Sequence, residues 1–182
     1  MARTKGEEHR DRIRKRHFAG EDAWTGENEK GWFRAPRTLP LVLSLIASKA
    51  ISGKYDLSKV YLELWARHMS GGVIEMREDA EHAYAAGYRG PRATHTWHER
   101  MKLLEKNGII KTKGIGLRTH KYVLLVHPTA VVEKLRQDGK VSDEWLDAYK
   151  DRQLETKEDS YHSRKKAGLP RKVVPIKAAK TA

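Results

Sequence analysis

The sequence predicts a mainly helical α+β protein with one small β-hairpin. Trp97, Met101 and Leu104 recur at the spacing of a helix face that packs against a core. Two short β-prone runs separated by a glycine-containing tip predict a hairpin over residues 109–126. Hydrophobic residues make up only 38% of the chain and charged residues 34%, so we expect part of its length to lie outside the core.

The remaining elements follow from helix and turn signals. A run rich in leucine predicts a buried helix over 39–51, which Ser52-Gly53 ends. Asp56 or Ser58 can cap a second helix that extends to about His68. Further along we predict a strand at 73–76, a helix at 78–86, a helix from Pro91 to about 106, strands at 109–113 and 121–126 joined by the tip 114–120, and helices at 128–136 and 142–154.

Composition divides the chain into four regions. Residues 1–30 are polar and charged, and we expect a mobile N-terminal arm with at most a transient helix. A folded domain is expected over 31–128 and further C-terminal helices over 129–155. Residues 156–182 are charged and poor in aromatic side chains, which predicts a disordered basic tail.

The positive charge is concentrated in two places. The formal net charge is +13, and segment 88–121 alone holds nine Lys and Arg residues against two Glu residues. Segment 157–182 holds eight basic residues against two acidic ones. A basic block inside an otherwise nearly neutral domain is what a polyanion-binding face requires. The alternative is a basic surface that serves solubility, which would spread the charge more evenly.

Several classes of protein are disfavoured. The chain has no Cys, which excludes disulfides, thiolate catalysis and cysteine-based zinc sites. The N-terminal residues lack the apolar core of a signal peptide, and the longest apolar stretch, 39–51, is too short to span a bilayer. We therefore expect a cytoplasmic, nucleoid-associated protein.

No catalytic set stands out. His95 and His98 have the spacing of a zinc pair but lack an evident third ligand, so we interpret them as surface polar residues. Lys102 stands where a metalloprotease helix would need its second His. Gly114-Ile115-Gly116 lies in a hairpin and lacks the third glycine of a nucleotide loop. We expect a protein that is not an enzyme, with no metal, cofactor or small-molecule substrate.

The order strand, helix, tight turn, helix, strand, basic loop, strand from residue 73 resembles the winged-helix (helix-turn-helix) DNA-binding family. The ending Leu104-Glu105-Lys106-Asn107-Gly108-Ile109-Ile110 is similar to the end of that family's recognition helix, and 79–87 resembles its preceding helix. More loosely, Gly31-Trp32-Phe33-Arg34-Ala35-Pro36 resembles winged-helix regions of phage and plasmid replication or regulatory proteins. The resemblance covers about residues 39–127 and implies that 31–128 form a winged-helix DNA-binding domain.

The resemblance and the charge pattern together predict a set of DNA-binding residues. With Trp97 in the core, the opposite face of its helix presents polar side chains suited to base edges in the major groove. The hairpin supplies cations suited to phosphates or the minor groove, and Arg89 stands at the turn where a phosphate can bind. The predicted set is Arg89, Arg92, Thr94, His95, Thr96, His98, Glu99, Lys102, Lys111, Lys113, Arg118, His120 and Lys121.

The leading hypothesis is a double-stranded DNA-binding protein that acts as a transcriptional regulator or as a replication or maintenance factor of a plasmid or phage. A homodimer is compatible with this hypothesis. Two alternatives remain open: a winged-helix adaptor that binds an acidic protein, and an RNA-binding protein. The lack of an aromatic-studded sheet face weighs against RNA.

Overall fold

A computed structural model describes residues 4–20, 30–68, 71–160 and 163. The chain divides between Trp32 and Phe33 into two compact units. Most of the predicted basic tail, 161–162 and 164–182, lies outside the described residues. Among the described residues, no helix is both long enough and apolar enough to cross a bilayer.

The first unit contains helix α1 (Lys5–His17), where the sequence predicts at most a transient helix. A capping box begins it: the backbone N–H of Glu7 donates to Thr4 Oγ1 at 3.3 Å, and that of Thr4 donates to Glu7 Oε2 at 2.7 Å. Acidic side chains occupy its first turn and basic ones its last, which suits the helix dipole at both ends. None of its residues is buried, so capping and charge placement stabilise it without a core.

The second unit is mainly helical with a small antiparallel sheet, which confirms the predicted α+β class. Its helices within the described residues are α2 (Leu39–Ala47), α3 (Lys49–Ser52), α4 (Ser58–Arg67), α5 (Asp79–Ala85), α6 (Ala93–Lys106), α7 (Pro128–Gln137) and α8 (Asp143–Thr156). Its strands are β1 (Val73–Glu75), β2 (Ile110–Ile115) and β3 (Arg118–Leu125). Pro91 does not take the predicted first helical position, because α6 begins at Ala93.

The sheet has the order β1-β3-β2, with β3 in the centre and both neighbours antiparallel to it. Ile74 and Thr112 both pair with Val123, so these three side chains share one face of the sheet. The hairpin strands run further than predicted and leave only Gly116-Leu117 between them. The predicted long glycine-rich tip is therefore a two-residue turn at the end of a longer ribbon.

The hairpin is irregular close to its tip. Lys113 pairs with Tyr122 but Ile115 pairs with Arg118, so the register shifts between them and β3 accommodates extra residues. Gly114 lies at this irregularity, where an added Cβ would be 2.9 Å from the carbonyl oxygen of Arg118. Glycine is needed there because the two backbones approach too closely for any side chain.

One core unites the helices with the sheet. Trp97, Met101 and Leu104 are each 0% exposed, as their spacing predicts. The Trp97 ring stacks on the His82 ring from α5, with centroids 5.6 Å apart and an interplanar angle of 17°. Buried residues from α2, α4, the sheet and α7 complete the same core. This packing fixes which side of α6 faces outward.

A charged network lies in the core beside α6. His82 is 2% exposed, and its Nδ1 lies 3.1 Å from Oε1 of Glu63 on α4. The same carboxylate oxygen accepts from Nε of Arg67 at 2.8 Å, and the backbone N–H of Arg77 donates to His82 Nε2 at 3.4 Å. Because each buried polar group has a partner, this network joins α4, α5 and the segment after β1 without an unsatisfied charge.

The two last helices also follow the sequence closely. Pro128 is the first residue of α7, and the Ser142 side chain caps α8 by accepting from the backbone N–H of Trp145. Thr38 Oγ1, just before α2, donates to Glu158, and both carboxylate oxygens lie 3.0 Å away. This contact ties the end of α8 to the start of the folded unit.

Candidate nucleic-acid interface

Helix α6 has one buried face and one polar face. Its N-cap is Arg92, and no side chain caps the backbone N–H groups of its first turn. Because Trp97 faces the core, the side chains on the opposite side of the helix face outward and lie along one stripe. That stripe consists of Arg92, His95, Glu99, Lys102 and Lys106, and the four basic residues among them are exposed.

The turn that leads into α6 is held by Arg89. Its guanidinium lies over the ring of Tyr84, with Cζ 3.6 Å from the centroid. Its NH1 group also donates to the backbone carbonyls of Tyr84 and Tyr88. These contacts satisfy one carbonyl near the end of α5 and one in the turn after it, so Arg89 organises the turn and is less free to move to a ligand than an unpaired surface arginine.

Helix α6 and the hairpin contact each other through two pairs of residues, His98 with His120 and Glu105 with Thr112. The His98 and His120 rings stack with centroids 5.6 Å apart, and their Nδ1 atoms are 3.4 Å apart. Nearer the end of α6, the backbone N–H of Thr112 donates to Glu105 Oε1 at 3.2 Å. The hairpin is therefore fastened along the flank of α6 at two points.

His120 is buried beneath this contact and does not form part of the predicted surface. It is only 6% exposed, because the irregularity in β3 turns its side chain toward α6. Burial, reinforced by the nearby His98, lowers the pKa of His120, while Glu105 and Asp79 act in the opposite direction and Lys102 in the same one. His98 is itself held on its far side, with Nε2 3.2 Å from Asp79 Oδ2.

The lowered pKa of His120 predicts a pH dependence of folding. Unfolded His titrates near pH ~6.5, so below that pH the unfolded chain binds the proton more readily than the folded one. The free energy of unfolding should be greatest above about pH 6.5 and should decrease as the pH falls below that value. Urea unfolding at pH ~7 and pH ~5 measures this. His120→Gln should show a smaller loss between the two pH values, and part of the loss should remain because burial also lowers the pKa of His68.

If the wild-type chain and His120→Gln lost the same free energy of unfolding between these pH values, the burial of His120 against His98 would not be the cause of the pH dependence. A matched control is His95→Gln, since His95 lies exposed on the outward stripe of the same helix. That variant should keep the wild-type pH dependence.

The hairpin carries its lysines on the outer face of the sheet. Lys111 pairs with Leu124 and Lys113 with Tyr122, whereas Thr112, between them, faces the core side. Both lysines are exposed and form no ion pair among the residues that the structure describes. The lysines therefore lie on the face of β2 opposite to Thr112, which contacts α6, so the cations of α6 and those of the hairpin do not share one continuous face.

Two hairpin cations form ion pairs within the unit. Arg118 NH2 lies 2.9 Å from Glu78 Oε1, with both side chains more than half exposed. Lys121 Nζ lies 2.7 Å from Glu75 Oε1, and its side chain is only 22% exposed. Exposed pairs of this kind are weak and exchange partners readily, so Arg118 is available to a phosphate while Lys121 mainly braces β3 against β1.

The predicted residues thus separate by position. Arg92, His95, Glu99 and Lys102 share the outward stripe of α6, whereas Thr94, Thr96 and His98 are half-buried on its flanks. Sequence reasoning missed Lys106, which is exposed on the same stripe and forms no ion pair within the described part of the chain. Its spacing from Glu99 and Lys102, seven and four residues, could have revealed it.

Comparison of the chain with protein-family models, with curated proteins and with solved structures found no match. Among the described residues, no three His, Asp or Glu side chains are grouped so that they could hold a metal ion. The chemistry of the described surface must therefore be inferred from its own cations and hydrogen-bonding groups.

Proposed function

We propose that the second unit is a winged-helix domain that binds double-stranded DNA, with α6 as the recognition helix and the β2–β3 hairpin as the wing. The element order supports this, because β1 precedes α5 and α6 and then pairs with the second strand of the hairpin. That arrangement is the one expected of a helix-turn-helix with a wing on one small sheet. A role in regulation or replication of a plasmid or phage rests on the sequence resemblance alone.

The observation that carries the proposal is the junction between α6 and the hairpin. The His98–His120 stack and the Glu105–Thr112 hydrogen bonds hold α6 and the hairpin side by side in one folded unit, and each of the two elements carries exposed cations. On duplex DNA the major and minor grooves also lie side by side, separated by a phosphate backbone. Two adjoining surfaces, rather than one continuous face, suit a helix in the major groove and a hairpin over the neighbouring minor groove.

The stripe of α6 offers different chemistry along its length. Arg92, at the start of the helix, has the donors for guanine O6 and N7, and His95 follows one turn later. Glu99 accepts from Lys102 at 3.0 Å, and that hydrogen bond lowers the pKa of the Glu99 carboxyl. Glu99 therefore stays ionised and can accept from cytosine N4, while Lys102 is free to move to a phosphate.

The test is the salt dependence of binding to duplex DNA. The exposed cations of the two surfaces are Arg92, Lys102, Lys106, Lys111, Lys113 and Arg118. If most of them meet phosphates, the logarithm of the binding constant should fall against the logarithm of salt concentration with a slope of about −4 to −5. Fluorescence anisotropy with a labelled duplex of ~25 base pairs measures this slope.

Duplex RNA of the same length is the matched competitor, because its narrow major groove does not admit a helix. Duplex DNA should compete strongly and duplex RNA weakly. Absence of duplex binding, or binding that is insensitive to salt, would overturn the proposal. Selection of sites from random duplexes would then give the base preference of α6, and a palindromic site would show that a dimer binds.

A further inference from the structure

The tip of the hairpin exposes two aliphatic side chains. Leu117 is 103% exposed and Ile115 is 56% exposed, so neither is covered by the folded unit. They stand on either side of Gly116, whose φ of 58° makes the turn. Leucine and isoleucine are costly to leave in water at a position where any polar residue would serve, and a cluster of this kind suits a partner with an apolar crevice.

The charges around this tip favour one kind of partner. Lys113 on β2 and Arg118 on β3 flank the aliphatic pair, one on each strand of the ribbon. An uncharged apolar protein groove would leave both cations without a partner, whereas an anionic partner pairs with them. In the minor groove of DNA, an apolar tip meets the edges of stacked bases and cations on either side meet the two phosphate backbones.

We propose that Ile115 and Leu117 form an apolar wedge that enters the minor groove, partly separates one base step and bends the duplex bound by α6. The inference rests on the proposed DNA binding and adds deformation of the duplex to it. Arg118 exchanges its exposed Glu78 partner for a phosphate as the tip enters.

The hairpin is built to present such a wedge. Strand pairing continues to Ile115 and Arg118, so only two residues are left in the turn. The close approach of Gly114 to the Arg118 carbonyl and the buried His120 hold the base of the tip. A short, braced tip loses little conformational entropy on binding, which favours insertion between bases.

The wedge also predicts sequence preference without hydrogen bonds to bases. Pyrimidine–purine steps such as TA and CA unstack most easily, so the duplex should be bound more tightly when one of them lies under the wing. Moving that step by half a helical turn should remove the advantage.

The experiment uses the full chain and a duplex that carries 2-aminopurine at the step under the wing and a donor–acceptor dye pair at its ends. Wild-type protein should increase 2-aminopurine fluorescence and shorten the end-to-end distance. Ile115→Thr with Leu117→Ser should abolish both signals and weaken binding by roughly tenfold, while duplex binding itself remains. Leu154→Ser is the matched control, because Leu154 is 77% exposed on α8, away from the hairpin.

The outcomes separate the two proposals. Duplex binding by wild type without unstacking or bending, or a tip variant that unstacks and bends as wild type does, overturns the wedge and leaves DNA binding in place. No duplex binding by wild type overturns both. Loss of both signals in the tip variant, with Leu154→Ser unchanged, supports the wedge.

Discussion

Trp97→Ala is expected to destabilise the second unit by about 3–5 kcal/mol, a large part of the roughly 5–15 kcal/mol by which whole domains are stable. Trp97 is 0% exposed and its ring fills the space between α5 and α6. Its removal takes away the buried apolar surface and also leaves a cavity against His82. Because His82 belongs to the network with Glu63 and Arg67, the loss should extend from α6 into α4.

Trp97→Phe separates ring packing from the indole N–H. The Nε1 atom of Trp97 is buried without a hydrogen-bond partner among the described residues, so replacing the indole with phenyl sacrifices no hydrogen bond. Phenylalanine keeps an aromatic ring beside His82, and we expect a cost of about 1–2 kcal/mol. Urea unfolding followed by far-ultraviolet circular dichroism measures both variants. A loss below about 1 kcal/mol in Trp97→Ala would mean that the α5–α6 contact does not anchor the unit.

Local patterns explain why the core side of α6 could be predicted. Trp97, Met101 and Leu104 need only helical spacing to share a face, and spacing is visible in the sequence. The turn before α6 and the caps of α7 and α8 are likewise set by neighbouring residues. The type of these elements and the core-facing side of α6 are therefore set by residues that are close together in the sequence.

The ion pairs could not be predicted in the same way. Arg118 lies 40 positions from Glu78, and nothing local indicates that the two side chains meet. Lys121 and Glu75 meet only because β3 lies beside β1. Such contacts depend on strand order and register, which long-range packing decides.

His120 shows how a single irregularity changes a functional assignment. Regular alternation would place it with Tyr122 and Leu124 on the outer face, where a surface role is a reasonable expectation. The register shift beside Gly114 turns it inward, and it becomes a brace against His98. Bulges of this kind re-aim side chains next to functional surfaces, and their position depends on close backbone contacts that composition does not reveal.

Neutralising the two free lysines of the hairpin, by Lys111→Gln with Lys113→Gln, should weaken duplex binding by about 60-fold at 0.1 M salt. Each phosphate contact contributes about 0.9 to the salt slope, and that contribution vanishes near ~1 M salt. Two lost contacts should therefore reduce the magnitude of the slope by about 1.8. Both lysines are exposed on the outer face of β2, so the fold should tolerate glutamine at each.

The control removes the same charge elsewhere. Lys49 on α3 and Lys150 on α8 are exposed and lie outside both proposed surfaces, so Lys49→Gln with Lys150→Gln lowers the net charge equally. If binding were a diffuse effect of net charge, the two double variants would lose affinity alike, and the wing would have no particular role. If the hairpin contacts phosphates, the slope changes only in Lys111→Gln with Lys113→Gln. Because those lysines lie across β2 from the contact with α6, such a result would show that the duplex reaches the outer face of the hairpin.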